Sequence, residues 1–298
     1  MSYAAPSGEA FAKSDTNAAK PAKAAKAVTS VTACKADETP TASLKGIEHF
    51  ADFSTPIRNL PDCAIATRLY DAARQVWEEG YCQQFIRDLR SGGLSRSRFT
   101  FYMLQDYLYL SDYAKVHALI LSKTDDEEVA EHMVGILSAI AKERSSVHEV
   151  YARQYGIGAD EIRSARQSAF ARAYTSNILA IAYSRPVLDI LVAVLPCAWV
   201  YADYGTRISL ETGDALAANP YRTWVDMYSS EEFWQSSVWL LQTIDRLAAG
   251  ISDVGMDRLI DVFVTGVEHE YMFWNSAYDM QLSWKPGWER HEAEGSMR

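Results

Sequence analysis

Three stretches of this 298-residue chain gather side chains whose types and spacing could do chemistry. The first is Phe101-Tyr102-Met103-Leu104-Gln105-Asp106-Tyr107-Leu108-Tyr109-Leu110, followed by Ser111-Asp112-Tyr113. On a helix, Tyr102, Asp106, Tyr109 and Tyr113 stand at i, i+4, i+7 and i+11 and share one face. That face is either an ordinary amphipathic surface with a solvated acid or an aromatic box holding one carboxylate. A box of that kind suits a flat, nitrogen-bearing ring, with phenol faces to stack on it and a carboxylate to accept its hydrogen bonds. The second stretch runs from Leu188 to Tyr201 and is apolar nearly all round, the pattern of a central buried helix. Pro196 lies inside it, where it removes a backbone donor and crowds the carbonyl one turn back, so a kink is expected. Cys197 follows directly and Tyr201 lies one turn on. A buried thiol is either an inert small hydrophobe or a nucleophile, and the latter needs neighbours that stabilise the thiolate. The third stretch is Val267 to Tyr278, in which Glu270, Phe273, Trp274 and Ala277 occupy adjoining places on one helical surface. Held against Phe273, Glu270 would keep its proton to higher pH and serve as a general acid; on a solvated face it would be an ordinary carboxylate. Glu268 and His269 are expected to face solvent. Tyr174 and Tyr228, taken alone, read as packing residues.

Absences narrow the chemistry. None of the six histidines lies three residues after a glutamate, so the paired ligands of a di-iron bundle are missing. There is no His-Glu-x-x-His, no phosphate-cradling glycine loop and no Gly-x-Ser-x-Gly, so neither a metal nor another cofactor is expected. Cys34, Cys63, Cys82 and Cys197 show no Cys-x-x-Cys spacing and are too sparse for a disulfide scaffold. Reduced thiols and a cytoplasmic setting are expected, since no signal-peptide pattern opens the chain. Lys and Arg number 29 against 39 Asp and Glu, a net charge of −10 that disfavours nucleic acid and anionic membrane surfaces as partners. No uninterrupted apolar run approaches the ~20 residues that span a bilayer.

The elements that must position these residues read as helices. Residues 1–46 hold 13 Ala and six Lys with few large apolar side chains, too little to offset ordering entropy, and are expected to form a disordered tail. The body, 47–298, has no proline between Pro61 and Pro186. It carries stripes at helical spacing such as Leu69, Ala72, Ala73, Val76 and Trp77. Gly92 and Gly93 are expected to end one helix and Ser95 to cap the next. Further breaks are expected at Tyr155–Gly158, with Asp160 as the following N-cap, and at Gly205, Gly213, Asn219-Pro220 and Gly250–Asp253. No alternating strand pattern is present, so the expected fold is all-α, a single-domain helical bundle.

Taken in order, these pieces resemble the TenA family of aminopyrimidine aminohydrolases, also called thiaminase II. The resemblance rests on Tyr102 to Leu110, Tyr174-Thr175-Ser176, Leu195-Pro196-Cys197-Ala198-Trp199-Val200-Tyr201, Tyr221 with Trp224 and Tyr228, and Glu270 to Tyr278 with Trp284. It covers about residues 65–284. The resemblance implies a bundle similar to the haem-oxygenase-like fold, without haem or metal, assembled as a homo-oligomer, usually a tetramer. It implies hydrolysis at the methylene on C5 of a 4-amino-2-methylpyrimidine, salvaging the pyrimidine half of degraded thiamin. By position, Cys197 matches the family's nucleophile and Glu270 its acid/base. Asp106 matches the carboxylate that pairs with the ring nitrogen and 4-amino group. Tyr109, Tyr174, Tyr201, Tyr228 and Phe273 match the pocket walls. Cys197 makes the chain look like the cysteine-containing branch. The spacing from Cys197 to Trp224 and Tyr228 is slightly longer than in a typical member, and the first 46 residues have no counterpart. Two other functions are compatible with the residues alone: a non-catalytic pyrimidine-binding or regulatory protein, and an oxidase on the same fold.

Overall fold

The computed structural model describes residues 63–288 apart from Gly156. The 1–46 segment expected to be disordered lies outside the described residues. Among those residues there are ten α-helices and no strand. They are α1 (Ala64–Cys82), α2 (Gln84–Ser91), α3 (Arg96–Lys123), α4 (Glu127–Tyr155), α5 (Ala159–Ser164), α6 (Ala169–Ser184), α7 (Val187–Thr212), α8 (Arg222–Tyr228), α9 (Glu231–Leu247) and α10 (Asp253–Tyr278), with a 3₁₀ turn at Gly213–Ala218 between α7 and α8.

Local chemistry sets the ends. Ser95, Ser168, Ser230 and Ser252 each open a helix by accepting a hydrogen bond from a first-turn backbone N–H, those of Arg98, Ala171, Phe233 and Gly255. Each such cap is worth about 1 kcal/mol. Gly92 ends α2 in the left-handed region at φ 76°, and the N–H groups of Gly93 and Leu94 turn back to the Asp88 carbonyl. Two expected boundaries differ. The cap of α5 is Gly158, and Asp160 sits inside the first turn, where its charge favours the helix N-terminus without capping it. Gly205 does not break a helix but lies within α7, because a Cβ there would stand 2.7 Å from the backbone carbonyl carbon of Tyr228. The glycine serves the close approach of α7 and α8.

α7 is the axis of the bundle and packs against α3, α6, α8, α9 and α10. Its helix continues through Pro196, and almost every side chain from Asp189 to Tyr204 is buried. The segment Val187–Ala218 is long and apolar enough by length and composition to cross a membrane, which the lack of an uninterrupted apolar run did not disclose. Of its most apolar window, 83% is buried inside the fold, so its apolar surface is spent on the core. α1 joins this axis through Trp77, whose ring meets Trp199 edge-on at 5.1 Å. Below that contact Arg207 is buried between two carboxylates. It donates to both oxygens of Glu78 (3.2 and 2.8 Å) and to Asp203 Oδ2 (3.3 Å), while Trp77 Nε1 also donates to Asp203 Oδ2 (2.7 Å). Cys63 and Cys197 carry free thiols.

Candidate active site

Four helices converge on a small cavity. α3 contributes Asp106 and Tyr109, α6 Tyr174, α7 Cys197 and Tyr201, and α10 Glu270 and Phe273. Each pair from one helix is three or four residues apart, so helical periodicity presents both to the same space. Its walls are aromatic. Tyr109 packs on Tyr174 at 5.2 Å and meets Phe273 edge-on at 6.2 Å. Tyr201 packs on Trp274 at 4.8 Å, which holds the lower wall to α10.

Glu270 is 2% exposed, and the Tyr174 hydroxyl donates to its Oε1 at 2.8 Å. Burial pushes its pKa up to about 8; the hydrogen bonds of Tyr174 and Tyr201 pull the other way, and the charge of Asp106 adds to the rise. Glu270 therefore carries a proton at neutral pH and can donate it. The phenols of Tyr109, Tyr174 and Tyr201 are pushed well above their ordinary range, first by burial, so they stay neutral hydrogen-bond donors. The Tyr109 hydroxyl is buried beside that of Tyr174. Cys197 is half-buried and carries its thiol. No Lys, Arg or His lines the cavity. Asp106 is half-buried and places a carboxylate among these rings.

Of the residues singled out in the sequence, Cys197, Glu270, Asp106, Tyr109, Tyr174, Tyr201 and Phe273 come together around this one space. Tyr228 does not line it. Its ring packs on Tyr201 at 4.8 Å, on Trp224 at 4.6 Å and on Phe233 at 4.8 Å, so it backs the Tyr201 wall. Tyr102 is fully buried next to the cavity and its hydroxyl accepts from Trp224 Nε1 at 3.2 Å. His269 was expected in solvent and is instead half-buried, its ring stacked on Tyr174 at 5.2 Å and 12°. One signal could have found it: His269 lies one turn before the wall residue Phe273.

The arrangement has counterparts in known proteins. The model of the TENA/THI-4/PQQC family matches residues 70–280. An aminopyrimidine aminohydrolase of Halalkalibacterium halodurans is 35% identical over 220 residues, 74% of this chain and 97% of that protein. One from Helicobacter pylori is 32% identical over 214 residues, 72% and 98% of the two chains. Among solved structures, a TenA homologue from P. horikoshii OT3 superposes with a TM-score of 0.62 at 29% identity, covering 72% of this chain and 98% of its own. The match runs from within α1 to just past α10 and so takes in every helix that lines the cavity: the chain belongs to the TENA/THI-4/PQQC family.

Proposed function

We propose that this protein is an aminopyrimidine aminohydrolase (thiaminase II) of thiamin salvage. It would convert 4-amino-5-aminomethyl-2-methylpyrimidine and water into the hydroxymethyl pyrimidine and ammonia. The observation that carries this reading is the meeting of a thiol and a proton-bearing carboxyl, Cys197 and Glu270, from separate helices in one aromatic cavity that also holds Asp106. The names of its Halalkalibacterium and Helicobacter relatives support the same activity.

In this reading the pyrimidine lies among the rings of Tyr109, Tyr174, Tyr201 and Phe273, and Asp106 accepts a hydrogen bond from the 4-amino group. The Cys197 sulfur bonds to a ring carbon as Glu270 gives its proton to a ring nitrogen, and the thiol proton passes to the substrate's aminomethyl nitrogen. The ring is then no longer aromatic, and its electrons expel the amine from the C5 methylene. Water adds to that carbon and returns a proton to Glu270, the carbon–sulfur bond breaks as the ring-nitrogen proton goes back to the Cys197 sulfur, and aromaticity returns. Tyr228 acts here from behind Tyr201 rather than by touching substrate. The protein works in the cytoplasm as a homo-oligomer, a tetramer by family resemblance, with no nucleic-acid or membrane partner.

The decisive test is ammonia release from 4-amino-5-aminomethyl-2-methylpyrimidine by wild type and by Cys197→Ser. Release by wild type, with Cys197→Ser inactive but still binding, supports both the reaction and its nucleophile. Full activity in Cys197→Ser removes the nucleophile assignment. Tight pyrimidine binding without ammonia in either protein would favour a binding protein instead.

A further inference from the structure

α10 holds Tyr174 at two points. Its Glu270 accepts the Tyr174 hydroxyl at 2.8 Å, and the preceding residue, His269, lays its imidazole against the Tyr174 ring at 5.2 Å with the planes 12° apart. Tyr174 is itself buried, at 1% exposure, and belongs to α6. Its ring therefore has only a small range of orientations, and His269 closes one of them. A phenol donates along its C–O–H direction, so tilting or sliding the ring moves the hydroxyl off the carboxyl oxygen. Hydrogen bonds weaken steeply as that angle opens.

We propose that His269 is a positioning residue: its stacked ring fixes Tyr174 so that the phenol bonds Glu270 and holds the carboxyl aimed into the cavity. The role of Glu270 as proton donor rests on the function proposed above; the contact itself does not. No proton transfer by His269 is involved. An aromatic ring of similar size should do the same work, whereas alanine should not.

The test has two arms. The first needs no turnover. The infrared carbonyl band of protonated Glu270, identified by its loss in Glu270→Gln, reports the hydrogen bond that this carboxyl accepts. His269→Ala should move that band in the same direction as Tyr174→Phe, and His269→Phe should leave it near the wild-type position. The second arm is kinetic. His269→Ala should lower kcat by about two- to tenfold, the worth of one aromatic stack, with KM little changed. His269→Phe should restore kcat, and adding His269→Ala to Tyr174→Phe should cost nothing more, because the bond it protects is already gone. A wild-type band in His269→Ala overturns the proposal. So does a His269→Phe variant as impaired as His269→Ala, or a loss that persists in full in the Tyr174→Phe background. A wild-type protein without turnover but with the expected band shifts would instead count against the proposed reaction.

Discussion

Glu270 has no cation beside it to favour its ionised form. Its closest charged companion in the cavity is another carboxylate, Asp106, and its other partners are the neutral phenols of Tyr174 and Tyr201. Burial therefore wins, and the pKa stands near 8 rather than the ordinary 4.5. The sign follows directly. A carboxyl with a raised pKa is protonated below about 8 and loses its proton above it, so a reaction that needs the proton declines as pH rises through that value. The rate profile of kcat/KM, which reports groups of the free enzyme, should therefore fall on the alkaline side near pH 8. Glu270→Gln should lower kcat by about 10²- to 10⁴-fold, the usual worth of a positioned proton donor, and should flatten that alkaline limb. A pH–rate series on the two proteins checks this. An unchanged alkaline limb in Glu270→Gln would assign it to another group.

Between elements, one contact sets the distance from nucleophile to acid. A Cβ built on Gly266 of α10 would lie 2.7 Å from Pro196 Cγ of α7. The proline ring is locked into the helix and cannot swing aside as a flexible side chain would. Cys197 follows Pro196 directly, and Glu270 lies one turn beyond Gly266. Gly266→Ala should therefore push α7 and α10 apart at the catalytic pair. Its stability cost should be small. Overpacking costs about 1–3 kcal/mol, and the better helix propensity of alanine returns about 1 kcal/mol. Activity should fall much further, toward 10²-fold, since a displacement of about 1 Å between reacting groups can cost that much. Thermal melting beside steady-state kinetics separates the two effects, and equal, small losses in both would dismiss the seat as mere packing. This contact also marks where sequence reading stops. The helices and the buried α7 were legible because periodicity acts within one element, whereas Asp106, Cys197 and Glu270 each kept an ordinary alternative until the family resemblance singled them out. The partner of a glycine was not. Gly205 read as a break because isolated glycines weaken helices, whereas its reason is the Tyr228 backbone on α8. His269 read as solvent-facing because its partner, Tyr174, is 95 residues away in sequence and on another helix. Tyr228 shares the same difficulty: helical spacing gives its face but not that Tyr201 stands between it and the cavity.

At the scale of the whole molecule, the first helix and the central helix are tied by charge as well as by apolar packing. Arg207 is 7% exposed and forks onto Glu78 of α1 while also reaching Asp203 on its own helix. Tyr81 adds its ring face, 3.7 Å from the guanidinium carbon. Burying three charged groups has a large desolvation cost, so the cluster is not in itself evidence of extra stability. Its removal is a different matter. Without the guanidinium, Glu78 and Asp203 face each other as two buried carboxylates, and the fold must either protonate one or admit water. Arg207→Ala should therefore cost about 3–5 kcal/mol, the range for breaking a buried pair from one side. The surface offers the control within the same protein. Arg222 pairs with Asp226 at 3.0 Å one helical turn away, but both side chains are at least half exposed. Arg222→Ala should change stability by less than about 1 kcal/mol. Urea unfolding of the two variants at neutral pH decides the matter. The Arg207 loss should shrink as pH is lowered, because Asp203, whose pKa burial raises, takes up a proton and removes an unpaired charge. Arg207→Ala no more costly than Arg222→Ala would mean that the cluster is already hydrated, and that the packing and hydrogen bonds of Trp77 hold α1 to the axis without it.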